Sequence, residues 1–231
     1  MTYNEIWRQL TPLYDNGEAK AIVRVLLEMQ FGLSWTDIIC GKVTQLEAEK
    51  VVLLQQMIGR LATGEPVQYV MGRAEFVHRM FSVIPGVLIP RPETAELCDW
   101  IIDGTSENAV ILDVGCGSGC IGVTLALGIH GAHVVAWDGS DEALRITESN
   151  AQALHARIDI VRQDALIPPA DVEKWDAVVS NPPYVCERER SAMERNVLDY
   201  EPALALFVPD NDPLLFYRAI AKYAAKALKR G

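Results

Sequence analysis

The run Ala109-Val110-Ile111-Leu112-Asp113-Val114 passes directly into Gly115-Cys116-Gly117-Ser118-Gly119. Its first half is apolar except at Asp113 and rich in branched side chains, which predicts a strand buried on both faces, as in parallel sheets. Its second half carries glycine at alternate positions, and an apolar helix is expected from Cys120 to about Gly128. The alternation continues downstream. His133-Val134-Val135-Ala136-Trp137 predicts a second strand ending on Asp138, residues 143–154 a helix, and Ile158-Asp159-Ile160-Val161 a third strand ending near Gln163-Asp164-Ala165. Trp175-Asp176-Ala177-Val178-Val179 predicts a fourth strand, ending at Ser180-Asn181. Strands alternating with helices imply an α/β, Rossmann-like parallel sheet that holds ligands at the carboxyl ends of its strands. The unusual residues of the chain fall at those ends.

Gly115, Gly117 and Gly119 let the backbone approach a ligand without Cβ obstruction. Asp138, closing the second strand, is placed to accept the hydroxyl protons of a ribose. Gly117, Gly119 and Gly122 also fit a dinucleotide-binding spacing, a weak signal by itself. Two features tilt away from a dinucleotide. Asp113 stands where a carboxylate would face an ammonium group, and no basic residue lies in the loop to meet a phosphate. An uncharged nucleoside carrying an amino acid fits better, and S-adenosylmethionine is such a molecule. A nicotinamide dinucleotide is the alternative.

The fourth strand runs into Ser180-Asn181-Pro182-Pro183-Tyr184. Consecutive prolines fix two φ angles and remove two backbone donors, and Pro182 biases Asn181 toward extended backbone. What remains is a stiff, acceptor-rich corner with an aromatic face at Tyr184. It suits a planar NH2 group, because two acceptors can take its two protons while a ring covers its face. A tight turn that merely ends a strand explains the tetrapeptide about as well when it is taken alone.

The rest of the chain bounds the class. Half of the 231 residues are hydrophobic, enough for one large domain or for one domain and a small companion. No apolar run reaches the length of a membrane span, and Met1-Thr2-Tyr3-Asn4-Glu5 lacks the basic-then-apolar order of an export signal, so a cytoplasmic location away from membranes is expected. The five cysteines are odd in number and form no CxxC pair, which predicts reduced thiols and no metal site. Residues 1–90 carry a net −1 and the remainder −9 of the total −10. A chemistry half this acidic is poorly suited to gripping a phosphate backbone, so nucleic acid is not expected as the partner. His78, His130, His133 and His155 are scattered and read as surface or packing residues.

Residues 1 to about 62 read as short helices, with Ser34 or Thr36 capping one of them and Thr44-Gln45-Leu46-Glu47 forming a capping box for the longest. From Pro66 to Pro90 the pattern changes to alternation, predicting a hairpin that turns near His78-Arg79. Arg91-Pro92-Glu93-Thr94 then opens an amphipathic helix, with Pro92 suited to a first turn and Glu93 to the helix dipole.

Val67-Gln68-Tyr69-Val70-Met71-Gly72, Leu88-Ile89-Pro90-Arg91-Pro92-Glu93-Thr94, the block from Ile111 to Ile121, Ser180-Asn181-Pro182-Pro183-Tyr184-Val185 and Tyr200-Glu201-Pro202 with Ala205-Leu206 together resemble the HemK/PrmC family. These enzymes methylate a glutamine side-chain amide in peptide chain release factors. The resemblance spans nearly the whole chain. It implies a class I S-adenosylmethionine-dependent methyltransferase domain over 91–231, preceded by a helical substrate-recognition domain over 1–70 and a β-hairpin linker over 71–90. It also implies that Asp113, Gly115, Cys116, Gly117, Ser118, Gly119, Asp138, Asp164, Ala165 and Asn181 hold the cofactor. Asn181, Pro182 and Tyr184 would be catalytic. Pro183, Glu93 and Thr94 would join those three around the substrate glutamine, in a monomeric enzyme whose partner is a release factor.

Two departures from the family pattern carry expectations. Ala165 stands where some relatives place an aromatic residue beside adenine. Relatives also continue beyond residue 231 with further strands, so the edge of the fourth strand is expected to be unpaired. The nearest rival activity is methylation of an exocyclic amine in DNA or RNA, which the same acceptor corner would serve.

Overall fold

The structure, a computed structural model, describes residues 1–230. The chain divides into two compact units: Met1–Gly72 with Arg195–Tyr200, and Arg73–Glu194 with the segment from Glu201 onward.

The first unit is helical: α1 (Tyr3–Arg8), α2 (Asn16–Phe31), α3 (Trp35–Ile39), α4 (Ala48–Leu61) and α5 (Val67–Met71). Thr2, Asp15 and Ser34 cap the first three, each side-chain oxygen accepting an orphan backbone N–H. Ile6, Leu10, Val23, Leu26, Leu27, Leu54, Ile58 and Leu61 meet in one buried cluster. The expected capping box at Thr44–Glu47 does not form. Lys42–Gln45 take a 3-10 turn instead, in which the Thr44 hydroxyl donates to the Gly41 carbonyl at 2.8 Å, and α4 opens behind Glu47 with no side-chain cap. A local side chain-to-backbone bond has won over the cap.

Residues 67–71, expected to belong to an alternating stretch, are helical because their carbonyls find a partner. Arg60 donates to the carbonyls of Tyr69 and Val70, each at 3.1 Å, and Gly72 ends the turn at φ 70°.

The second unit begins with an antiparallel hairpin of β1 (Arg73–Phe76) and β2 (Arg79–Ser82), in register Ala74 to Phe81. Its turn is Val77-His78, both at positive φ, one residue earlier than expected. Such a two-residue turn follows the strand twist. The hairpin clusters with the second unit. Then come α6 (Thr94–Gly104), β3 (Val110–Val114), α7 (Cys120–Gly128), β4 (His133–Asp138), α8 (Asp141–Ala153), β5 (Ile158–Arg162), β6 (Ala177–Ser180) and β7 (Val185–Cys186). After α9 (Arg195–Tyr200), which clusters with the first unit, α10 (Ala203–Leu206), β8 (Phe207–Val208) and α11 (Leu215–Ala227) complete the chain.

The central sheet has the order β5-β4-β3-β6, with all three pairings parallel. Its residues alternate between two covering layers. Ile111, Val134 and Val179 pack with Cys98 of α6, Val123 and Leu125 of α7 and Ala151 of α8. Leu112, Val114, Val135 and Trp137 face the other way, onto Trp175 and onto Tyr223 and Ala227 of α11. The Trp175 indole donates to the Tyr223 hydroxyl at 2.6 Å, and that hydroxyl donates to Asp171 at 2.7 Å, so neither polar tip is buried unpaired.

Among the described residues no strand pairs with the outer edge of β6. The approach to it is nonetheless covered: Trp175 bridges Leu228, and its N–H and carbonyl bond Ala227 and Lys229. No described helix is long and apolar enough to cross a membrane.

Candidate active site

A cavity of about 490 Å³ opens along the carboxyl ends of the central strands. Parallel strands place these ends in one row, so the loops after β5, β4, β3 and β6 line it side by side. Of the expected residues, Gly115, Cys116, Gly117, Ser118, Asp138, Asp164, Ala165, Asn181, Pro182, Pro183 and Thr94 line this one space. A second depression, of about 500 Å³, lies around His133 and Ile158 at the amino ends of β4 and β5, away from the glycine loop.

The glycine loop is held from two sides. Asp138 accepts the Gly117 N–H through one carboxylate oxygen and the Ser140 N–H through the other, each at 2.9 Å. Each oxygen keeps a second lone pair for a ligand hydroxyl. From α8, the Thr147 hydroxyl donates to the Gly117 carbonyl at 3.0 Å, and the Asn150 amide donates to the Ser118 carbonyl at 2.9 Å. Asn150 also bonds both backbone groups of Ser82 in β2, at 2.7 and 3.0 Å, and thereby joins the hairpin to the loop. Gly119 has φ +78°, and a Cβ there would stand 2.8 Å from the Thr147 methyl, so the close loop–helix approach requires glycine. At Gly115 and Gly117 an added Cβ would meet no atom within 4 Å, which is the open backbone face a flat nucleoside needs.

Thr147 and Asn150 were not singled out in the sequence. Their signal was present: both are buried polar residues on the same helical face as Ala143 and Ile146.

Asp113 does not face the cavity. Strand alternation puts it on the same side as Ile111, under α7, where its carboxylate accepts the Gly122 N–H at 2.9 Å and its other oxygen has no partner. Full burial pushes its carboxyl up from 3.8 to about 7; the Gly122 N–H opposes the rise and the Asp138 charge adds to it. The direction of the linkage follows. Between pH ~4 and ~7 the folded chain holds a proton that the unfolded chain has released, so this group costs stability as pH rises through that window. Asp113→Asn is therefore expected to gain on the wild type between pH 5 and pH 8, by roughly 2–3 kcal/mol. Urea unfolding at the two pH values measures it, and a difference that does not change with pH would refute the assignment.

Three more expected residues lie outside the lining. Gly119 sits behind the loop against Thr147. Glu93 is exposed at the N-cap of α6 and makes no side-chain cap. Tyr184 is 57% exposed as the chain runs into β7, and its ring does not close over the floor of the cavity.

The Asn-Pro-Pro corner is oriented. The Ser180 hydroxyl donates to the Val114 carbonyl at 2.6 Å, fastening the end of β6 to β3. Asn181 directs its amide nitrogen at the buried Thr94 hydroxyl, 3.5 Å away, which leaves its oxygen as a free acceptor. Arg91 lines the cavity and pairs with the buried Glu201 at 2.7 Å, while Glu201 also accepts the Ile89 N–H at 3.3 Å. The apolar lining includes Leu166, Phe216 and Ile220 beside Ala165, so side chains other than residue 165 supply a face for a base. Burial pushes the Cys120 thiol up to about 12 and the Cys116 thiol well above its usual value, so neither is a thiolate base.

Residues 7–72 match the family model described as the PrmC N-terminal domain, and residues 101–200 the methyltransferase small domain. The chain is 46% identical over 227 residues to a release factor glutamine methyltransferase of Bacteroides thetaiotaomicron, covering 98% of this chain and 82% of that one. It is 37% identical to the enzyme of the same name from Flavobacterium psychrophilum, over 95% and 79% of the two chains. Against the one from Lactococcus lactis it is 38% identical, over 94% and 78%.

Proposed function

The chain belongs to the release factor glutamine methyltransferase family, and from that premise we propose how its residues carry the reaction. It transfers a methyl group from S-adenosylmethionine to the side-chain amide nitrogen of a glutamine in a peptide chain release factor. The single observation that carries the residue assignment is that the Asn-Pro-Pro acceptor corner and the glycine loop line the same cavity.

The cavity fits the cofactor on its own terms. Two glycines present bare backbone, and Asp138 keeps one lone pair on each oxygen for the ribose hydroxyls. Cys116, Ser118, Asp164 and Ala165 complete the cofactor's surroundings. S-adenosylmethionine supplies a methyl group on positively charged sulfur, and sulfur keeps the C–S electron pair as a thioether when the new N–C bond forms.

The protein's own contribution is placement. A glutamine amide nitrogen is a weak nucleophile because its lone pair is shared with the carbonyl. The Asn181 oxygen and the Pro182 carbonyl accept its two N–H protons and aim the nitrogen along the line of displacement. Positioning of this kind is worth roughly 7–11 kcal/mol of barrier. The same acceptors favour the positive charge that grows on nitrogen. Thr94 fixes the Asn181 amide, and Pro183 stiffens the corner. With the lining thiols protonated, the surplus proton leaves to water after methyl transfer.

The first unit, residues 1–70 in this reading, recognises the release factor, and the enzyme acts as a cytoplasmic monomer. The acidity of the second half supports a protein rather than a nucleic-acid substrate. Incubation with labelled S-adenosylmethionine and a release factor is expected to place label on one glutamine, mapped by mass spectrometry. Label on adenine of duplex DNA, or on the release factor away from any glutamine, would sink this reading.

A further inference from the structure

The charged groups of the cavity are sorted along the strand row. Asp164 follows β5 and Asp138 ends β4, so both carboxylates stand on one half. Arg91, the only cation among the described lining residues, stands at the other. Its backbone carbonyl accepts the Thr94 N–H at 3.0 Å, and the Thr94 hydroxyl meets Asn181 after β6. Arg91 is not free to wander. Glu201, 7% exposed, takes one Nη2 hydrogen at 2.7 Å and is itself fixed by the Ile89 N–H. Nη2 keeps its second hydrogen, so one planar pair of donors that includes it remains to match a carboxylate.

The cofactor carries adenine at one end, a ribose diol in the middle and a zwitterionic amino acid at the other end. With the diol at Asp138, the amino acid lies toward β3 and β6. We propose that Arg91 receives the cofactor's α-carboxylate, with Glu201 as the positioning residue that holds the guanidinium toward the cavity. The inference rests on the cofactor assignment above. It gives Arg91 and Glu201 a binding role, and it explains how the ligand's direction along the row is set. Only one orientation pairs the carboxylate with a cation and keeps it away from Asp138 and Asp164, and that orientation brings the sulfonium beside Asn181.

The test compares two ligands by calorimetry: S-adenosylhomocysteine, and its decarboxylated analogue S-adenosyl-3-thiopropylamine. The Arg91 side chain is 33% exposed, so solvent screening puts the effect at the lower end for a charged hydrogen bond. Arg91→Ala is expected to weaken S-adenosylhomocysteine about tenfold while leaving the analogue unchanged or slightly tighter. Because that variant strands the Glu201 carboxylate, Arg91→Ala/Glu201→Gln is run beside it and is expected to show the same selective loss. Glu201→Gln alone should weaken only S-adenosylhomocysteine, by less. Equal weakening of both ligands, or no change for S-adenosylhomocysteine, overturns the proposal. A wild-type protein that binds neither ligand overturns the cofactor assignment and this inference with it, and is told apart by that double failure.

Discussion

Replacing Asn181 with alanine is expected to lower kcat by about 10²–10³-fold, the usual cost of deleting one well-aimed polar group from a transition-state site. Cofactor affinity should stay within a few-fold. The split follows from geometry. Asn181 lines the cavity at the end of β6, with its nitrogen on Thr94 and its oxygen free, so the missing group is the acceptor for a substrate N–H. The backbone should survive the change. Ser180 holds the strand end through Val114, and Pro182 and Pro183 stiffen the loop whatever precedes them.

Asn181→Asp keeps an acceptor but loses the donor to Thr94 and adds charge, so it should recover only part of the rate. Single-turnover kinetics with saturating release factor, together with calorimetry for S-adenosylhomocysteine, separates the terms. An equal loss of turnover and cofactor affinity would make Asn181 a cofactor ligand or a structural residue.

The largest stability effect is expected away from the reacting atoms, at Asn150. Its side chain is 1% exposed and makes three hydrogen bonds, two to Ser82 and one to Ser118. Alanine removes all three and leaves an N–H and two carbonyls without those bonds in the interior. With each such group costing ~1–3 kcal/mol, the total is about 3 kcal/mol or more, a large part of a domain's stability. The loop would loosen as well, so affinity for S-adenosylhomocysteine should fall about tenfold.

Asn150→Asp should be no better, because a carboxylate cannot donate to the Ser82 and Ser118 carbonyls. Urea unfolding and calorimetry on the two variants measure both effects. A loss below ~1 kcal/mol with unchanged affinity would mean that the hairpin and the loop are held by other contacts.

The sequence alone determined the architecture and the outline of the site, for a local reason. Period-two and helical patterns, the glycine spacing, Asp138 at a strand end and Asn181 before two prolines are all written within short windows. Parallel strands then bring their ends together without further information. The tertiary structure decided what those windows could not hold. Asp113 reads like a ligand until the alternation of β3 turns it under α7. Asn150 reaches a partner 68 residues away, and Arg91 meets Glu201 across 110 residues. Such pairings carry no periodic signal, because a hydrogen bond depends on where two groups arrive in space and not on how far apart the chain has spaced them.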